Sequence, residues 1–287
     1  MRVLVHATAL LLALAPLRAA SPPDTFRFVV LGDRTGQAQP GIFEEALREA
    51  AVENPAFVVS TGDLIEGPND AIAESEWQAL DQILTPFRRY PLYEAPGNHD
   101  VWSEKSGGLF QKYTGRALHY SFDYRQAHFT VLDNSRSEQF SQAEMTYLEK
   151  DLAAHATQPV KFIVSHRPSW VLDAILRNPE FTLHRLAKKY GVQAVIAGHV
   201  HQMLHVDLGG VDYISMPSSG GHLRLSKGYE DGWFYGYGLV AVSGKAIQFQ
   251  IKELQPPHGK GRVTTPRDWG SAGLVDRGKA AALSLSH

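Results

Sequence analysis

The chain has 287 residues, 44% of them hydrophobic and 20% charged, a globular composition long enough for one large domain or two small ones. Its 28 basic and 30 acidic residues leave a net charge of −2 with no basic run, which excludes the electrostatic footprint of a nucleic-acid binder. There is no cysteine, so disulfides, thiolate metal sites and a cysteine nucleophile are excluded, and any metal is left to nitrogen and oxygen donors.

At the N-terminus, Arg2 precedes an apolar stretch over 3–17 that ends in Pro16 and Leu17 and runs into Arg18, Ala19 and Ala20. Residues 1–20 therefore read as a secretory signal peptide cut near Ala19 or Ala20, with export to the periplasm or the exterior. The stretch is interrupted by His6 and Thr8 and is shorter than the roughly 20 apolar residues a membrane span needs, which argues against a permanent anchor. No later segment is apolar enough to cross a bilayer.

From there strand and helix patterns alternate. Strands are expected over 26–31 and 57–60, with a helix over 43–52 between them that sets Phe43, Leu47, Ala50 and Ala51 on one face. Trp77, Leu80, Ile83, Leu84 and Phe87 mark a second helix, and 91–95 runs extended into a turn. Further strands are expected over 119–122, 128–133, 160–164, 194–197, 203–206, 213–216 and 237–251, and helices over 142–154 and 182–190. Turns at Tyr124-Arg125-Gln126 and Ser243-Gly244-Lys245 make antiparallel hairpins, so the class is a layered α/β fold with mixed sheets. One domain over 24–254 is expected, followed by a loosely packed tail over 255–287 that opens on Pro256, Pro257, Gly259 and Gly261.

The informative residues are those that follow the apolar runs. Five such runs end, in turn, on Gly32-Asp33, Gly62-Asp63, Gly97-Asn98-His99-Asp100, His166-Arg167 and Gly198-His199-Val200-His201. In layered α/β folds the carboxyl ends of strands form the rim where loops converge and ligands bind. An aspartate after a glycine is ordinarily a turn or cap residue, and a lone histidine is ordinarily structural. Five such ends in one chain instead suggest one metal site, built from the imidazole, carboxylate and amide donors that suit zinc, iron or manganese. His119, His128, His155, His184, His205 and His258 show no partner pattern and read as structural or solvated.

In this order and spacing, the motifs from Asp33 to His201 resemble those of the calcineurin-like metallophosphoesterases, purple acid phosphatases included. The resemblance implies a sandwich of two mixed β-sheets flanked by helices (α/β/β/α) with a centre of two divalent or trivalent metal ions. It also implies that Asp63 bridges the metals, that Asp33 and His201 serve the first, and that Asn98, His166 and His199 serve the second. Two such ions hold phosphoryl oxygens and activate water, so no protein nucleophile is required. His99 would then protonate the leaving group, and Asp100 would hydrogen-bond the His99 ring to fix its tautomer.

The first motif departs from the family pattern. Where the commoner form carries a histidine two residues after the first aspartate, this chain has Thr35. Purple acid phosphatases compensate with a tyrosine three residues after the bridging aspartate, and Glu66 stands at that spacing here. Glu66 is thus a candidate to complete the first metal or to fix one of its ligands, with Thr35 touching water or a neighbouring ligand. Arg34 and Arg167 are candidates to clamp a substrate phosphate. The expected function is an exported metal-dependent hydrolase of phosphomonoesters or phosphodiesters. The alternative is a weakened binding protein of the same fold with an incomplete first metal site.

Overall fold

The first strand sets the plan of the molecule. In β1 (Thr25–Leu31), Phe26, Phe28 and Val30 point to one face and Val29 and Leu31 to the other, and both sets are buried. A strand covered on both sides reads as a near-continuous apolar run, as this one does. The computed structural model describes residues 24–224, 231–265, 268 and the backbone of 272–274. The expected signal peptide over 1–20 lies outside the described residues.

Two mixed sheets pack face to face. The first orders as β12-β11-β10-β1-β2-β3, with β2 (Val58–Ser60), β3 (Leu92–Glu94), β10 (Gly236–Ser243), β11 (Ala246–Glu253) and β12 (Val263–Thr264). The second orders as β13-β8-β9-β7-β6-β5-β4. Its members are β4 (Tyr120–Tyr124), β5 (Ala127–Val131), β6 (Val160–Val164), β7 (Ala194–Ala197), β8 (Leu204–Leu208), β9 (Val211–Ser215) and β13 (Ala272–Leu274). Between them lies an aromatic layer in which Phe28 stacks on Phe57 at 5.1 Å and meets Phe129 edge-on at 5.1 Å. Each such ring truncated to alanine would cost about 3–5 kcal/mol.

The outer face of the first sheet is covered by α1 (Ile42–Val52), α2 (Ala73–Leu84) and α3 (Glu104–Thr114), whose Phe43, Leu47, Trp77, Leu80 and Phe110 meet Val29, Leu31 and Val58. The second is covered by α4 (Gln142–Ala154), α5 (Val171–Ile175) and α6 (Thr182–Tyr190). The expected α/β/β/α sandwich is therefore present. Among the described residues, no helix is long and apolar enough to cross a membrane.

Two local expectations are corrected. Helices α3 and α5 were not anticipated: Gly107 and Gly108 depress the helical signal of α3, which its Ser103–Ser106 capping box restores, and α5 spans only five residues. The stretch beyond Leu254 is not wholly a loose tail. β12 pairs with β11 and β13 with β8, each extending a sheet edge through backbone bonds in strands too short to show side-chain alternation.

Candidate metal centre

β1, β2 and β3 run parallel, as do β6 and β7, so each group presents its carboxyl ends on one rim. Asp33, Asp63 and Asn98 follow the first group, and His166, His199 and His201 the second. Close backbone packing joins them, and glycine is needed for it. A Cβ on Gly97 would lie 2.2 Å from the Asp63 nitrogen, and one on Gly198 would lie 2.3 Å from an Asp33 carboxylate oxygen. Asp63, His199 and His201 take left-handed φ of 55°, 71° and 59°, a conformation costing non-glycine residues about 1–3 kcal/mol each and typical of sites held by their surroundings.

The donors meet as two groups. In one, His166 Nε2 lies 3.0 Å from Asn98 Oδ1, 3.2 Å from Asp63 Oδ2 and 3.2 Å from His199 Nδ1. In the other, His201 Nε2 lies 3.2 Å from Asp33 Oδ2, and the backbone N–H of His199 donates to the Asp33 carboxylate at 2.9 Å, tying the groups together. The distal ring nitrogens are engaged by backbone carbonyls. His166 Nδ1 is 2.9 Å from Thr61 O and His201 Nδ1 is 2.7 Å from His222 O. With those N–H groups donating, both Nε2 atoms turn lone pairs inward, the tautomer a metal ligand needs.

These donors fit a bound cation. One proton on His166 Nε2 cannot serve a carboxylate, an amide oxygen and an imidazole nitrogen at once, and a buried convergence of lone pairs is otherwise costly. The electrostatics agree. Burial alone would lower the pKa of His166, but the Asp63 carboxylate outweighs it and pushes it up to about 9. Burial opposes ionisation of Asp63 as well, yet His166 holds that carboxyl well below the usual range. His199 is pushed down to about 4 by burial and by His166 and Arg167, which keeps it neutral.

A family model described as calcineurin-like phosphoesterase matches residues 26–203. The chain belongs to that family. The 3′,5′-cyclic adenosine monophosphate phosphodiesterase CpdA of Haemophilus influenzae is 25% identical over 189 residues, covering 62% of this chain and 66% of that protein. The chain thus spans just under two thirds of that relative's length. The protein of the same name from Escherichia coli K12 is 26% identical over 219 residues, covering 71% of this chain and 77% of that one. Among solved structures, purple acid phosphatase PPD1 from yellow lupin superposes with a TM-score of 0.66 at 17% identity, over 85% of this chain and 53% of that one. GAP50, an anchor in the inner membrane complex of Plasmodium, gives 0.58 at 16% identity, over 84% and 88%. At such identities the likeness is one of fold.

Three expected roles change. Asp100 does not touch the His99 ring. Its buried carboxylate accepts the backbone N–H groups of Asp63 at 2.7 Å, Gly97 at 2.9 Å, Leu64 at 2.7 Å and Ile65 at 3.2 Å, so it fastens the two loops that carry Asp63 and Asn98. The His99 ring is aimed by the Glu66 carbonyl, 2.5 Å from Nδ1. Both Glu66 carboxylate oxygens are engaged by backbone N–H groups, of Gln37 at 3.1 Å and Ala38 at 2.5 Å, so the side chain fastens that loop. Thr35 Oγ1 lies within hydrogen-bond reach of the backbone carbonyls of Asp63 and Ile65, at 2.9 and 2.6 Å. Arg34 is not a free clamp either. It donates to Leu64 O at 2.7 Å beside the Phe43 ring, and burial lowers its pKa.

Other positioning groups had no motif to announce them. Asn134 Oδ1 accepts the N–H groups of His166 at 3.2 Å and Arg167 at 3.0 Å, while its amide donates to Arg167 O at 2.8 Å. Its one signal in the sequence is its place just after the apolar run of β5. The carbonyls of Thr61, Glu66 and His222 leave no signal, because a backbone acceptor has no side-chain signature.

Proposed function

We propose that this phosphoesterase hydrolyses phosphodiesters, with cyclic 3′,5′-nucleotides as the leading substrate class. The names of its relatives support that class, and one feature of the site carries the choice of diester over monoester. Among the described residues, each arginine beside the donors already has a partner. Arg167 pairs with Glu138 and faces His199 Nε2 at 3.1 Å, Arg34 donates to Leu64 O, and Arg224 donates to His199 O at 2.8 Å. A monoanionic diester asks for less cationic clamping than a dianionic monoester.

Asp33, Asp63 and His201 would hold one cation, and Asp63, Asn98, His166 and His199 the other. Bound there, divalent ions supply Lewis-acid charge for the phosphoryl oxygens and ease the formation of a nucleophile from water. Asp100 and Thr35 keep Asp63 in its left-handed turn, so the donors stay aimed without rearrangement. His99 stands at the opening with its side chain 25% exposed, and its Nε2 is 3.9 Å from Asp63 Oδ2. With Nδ1–H held by the Glu66 carbonyl, a proton on Nε2 faces the leaving group. A ribose alkoxide is a poor leaving group, so this proton is worth about 10²–10⁴ in rate.

We also place the protein outside the cytoplasm, on the strength of the apolar segment after Arg2. Turnover of a cyclic 3′,5′-nucleotide, an aryl phosphodiester and an aryl phosphomonoester by the metal-loaded protein tests the substrate class. The expected order puts diesters first, and a clear preference for the monoester would overturn it. N-terminal sequencing of the mature protein tests export, and a chain that keeps Arg2 would overturn that part.

A further inference from the structure

A second constellation lies on the outer face of the second sheet, toward the rim opposite the metal centre. Asp123 on β4 stands directly across from His128 on β5, and Asp151 and His155 approach from the C-terminal end of α4. His128 is fully buried, with Nε2 2.9 Å from Asp151 Oδ2 and Nδ1 2.7 Å from Asp123 Oδ1. Asp151 is itself fixed, accepting hydroxyls from Thr130 at 2.6 Å and Ser121 at 2.7 Å. His155 Nδ1 lies 2.8 Å from the Asp151 carbonyl.

One residue therefore engages both rings. With Nε2–H of His128 given to the Asp151 carboxylate and Nδ1–H of His155 given to the Asp151 carbonyl, His155 keeps a lone pair on Nε2, and His128 gains one on Nδ1 once it gives up the proton it shares with Asp123. This is how metal-binding histidines are set, by a carboxylate or carbonyl behind them. One ligand atom from each of Asp123, His128 and His155 lies within 4.8 Å of the other two.

We propose that Asp123, His128 and His155 form a second cation site, independent of the phosphoester centre, that takes zinc and clamps the β4–β5 hairpin to the end of α4. Two imidazoles and a carboxylate are a zinc donor set, and the fourth position is open to water because the Asp123 side chain is 43% exposed. The His128 and His155 rings stack at 3.8 Å and 15°, so closure on the ion requires the His155 ring to turn and to exchange its bond with the Asp151 carbonyl for the ion. The His155 side chain is 31% exposed and has room to turn. Zinc takes the place of the proton that otherwise joins His128 Nδ1 to Asp123, so loading weakens as the pH falls.

The test is zinc stoichiometry by native mass spectrometry of the intact protein after equilibration with zinc chloride. Asp123→Asn and His155→Ala alter partly exposed groups and spare the buried His128, which keeps the fold intact for comparison. The wild type is expected to carry one zinc more per chain than either variant, and a chain with Asp63→Asn and His166→Ala is expected to keep that zinc. Zinc should raise the melting temperature of the wild type more than that of Asp123→Asn. Equal zinc content in wild type, Asp123→Asn and His155→Ala, or loss of every zinc from the Asp63→Asn, His166→Ala chain, would overturn the proposal.

Discussion

Replacing Asp100 by asparagine separates two accounts of this residue. In one, its carboxylate orients the His99 ring. In the structure it instead accepts four backbone N–H groups, two on each oxygen, from Asp63, Gly97, Leu64 and Ile65. An asparagine of the same volume keeps one carbonyl oxygen, enough for two of them, and turns its own NH₂ toward the other two. Two buried donors left unpaired at about 1–3 kcal/mol each give a loss of about 2–6 kcal/mol, before the weakening of the surviving bonds is added. Asp63 would also lose its fixed place, and misplacing a reacting group by about 1 Å costs on the order of 10²-fold in rate. Denaturant unfolding, metal content and a pH–rate profile are the assays. The expected result is lower stability, weaker metal retention and a lower rate, with the limb of the profile that belongs to His99 unmoved. A variant within about 0.5 kcal/mol of wild type, or one that keeps its metal while that limb moves, would contradict the role of Asp100 as the fastener of these loops.

Three further predictions concern neighbouring groups. His99→Asn should lower kcat by about 10²–10³-fold on an alkyl or ribose diester and by much less on a nitrophenyl ester, whose leaving group needs no proton; equal losses in steady-state assays would remove His99 as the acid. Glu66→Ala should keep its full metal content while losing about 0.5–1.5 kcal/mol of stability, since the N–H groups of Gln37 and Ala38 exchange its carboxylate for water; loss of one metal per chain by mass spectrometry would restore it as a ligand. Glu94 is pushed up from 4.5 to about 8 by burial, against the pull of Arg116. Its carboxyl binds a proton more tightly when folded, so its contribution to stability is full at low pH and is lost as pH rises through about 8. Glu94→Gln should therefore gain stability relative to wild type between about pH 5 and about pH 9 in denaturant titrations, and an unchanged difference would contradict the assignment.

The legibility of this chain in its sequence varied with the kind of signal. Strands of the two central sheets were plain, because burial on both faces makes β7 a continuous apolar run and β1 and β6 runs broken only by Arg27 and Lys161. The donors were plain too, since Asp33, Asp63, Asn98, His166, His199 and His201 each sit where such a run stops. Their convergence followed from parallel strands sharing one rim. What lay beyond reach was how side chains are spent once they are there. Asp100 and Glu66 are carboxylates beside donors, and nothing in their spacing reveals that backbone N–H groups claim them first. Asp123, His128 and His155 come from a hairpin and a helix end, and they meet only because sheet register and the packing of α4 place them together. Short elements such as α5, β12 and β13 were hidden for another reason: two to five residues cannot display a period.

Phosphoester hydrolysis by this chain is proposed to depend on cations held between the two groups of donors. Turnover of a cyclic 3′,5′-nucleotide by the metal-loaded protein, the chelated protein and the Asp63→Asn variant decides that dependence. Activity is expected in the first, with its loss on chelation, recovery when metal is returned, and no recovery in the variant at any metal concentration. A metal-replete wild type inert on diesters and monoesters alike, or an Asp63→Asn variant as active as wild type, would contradict it.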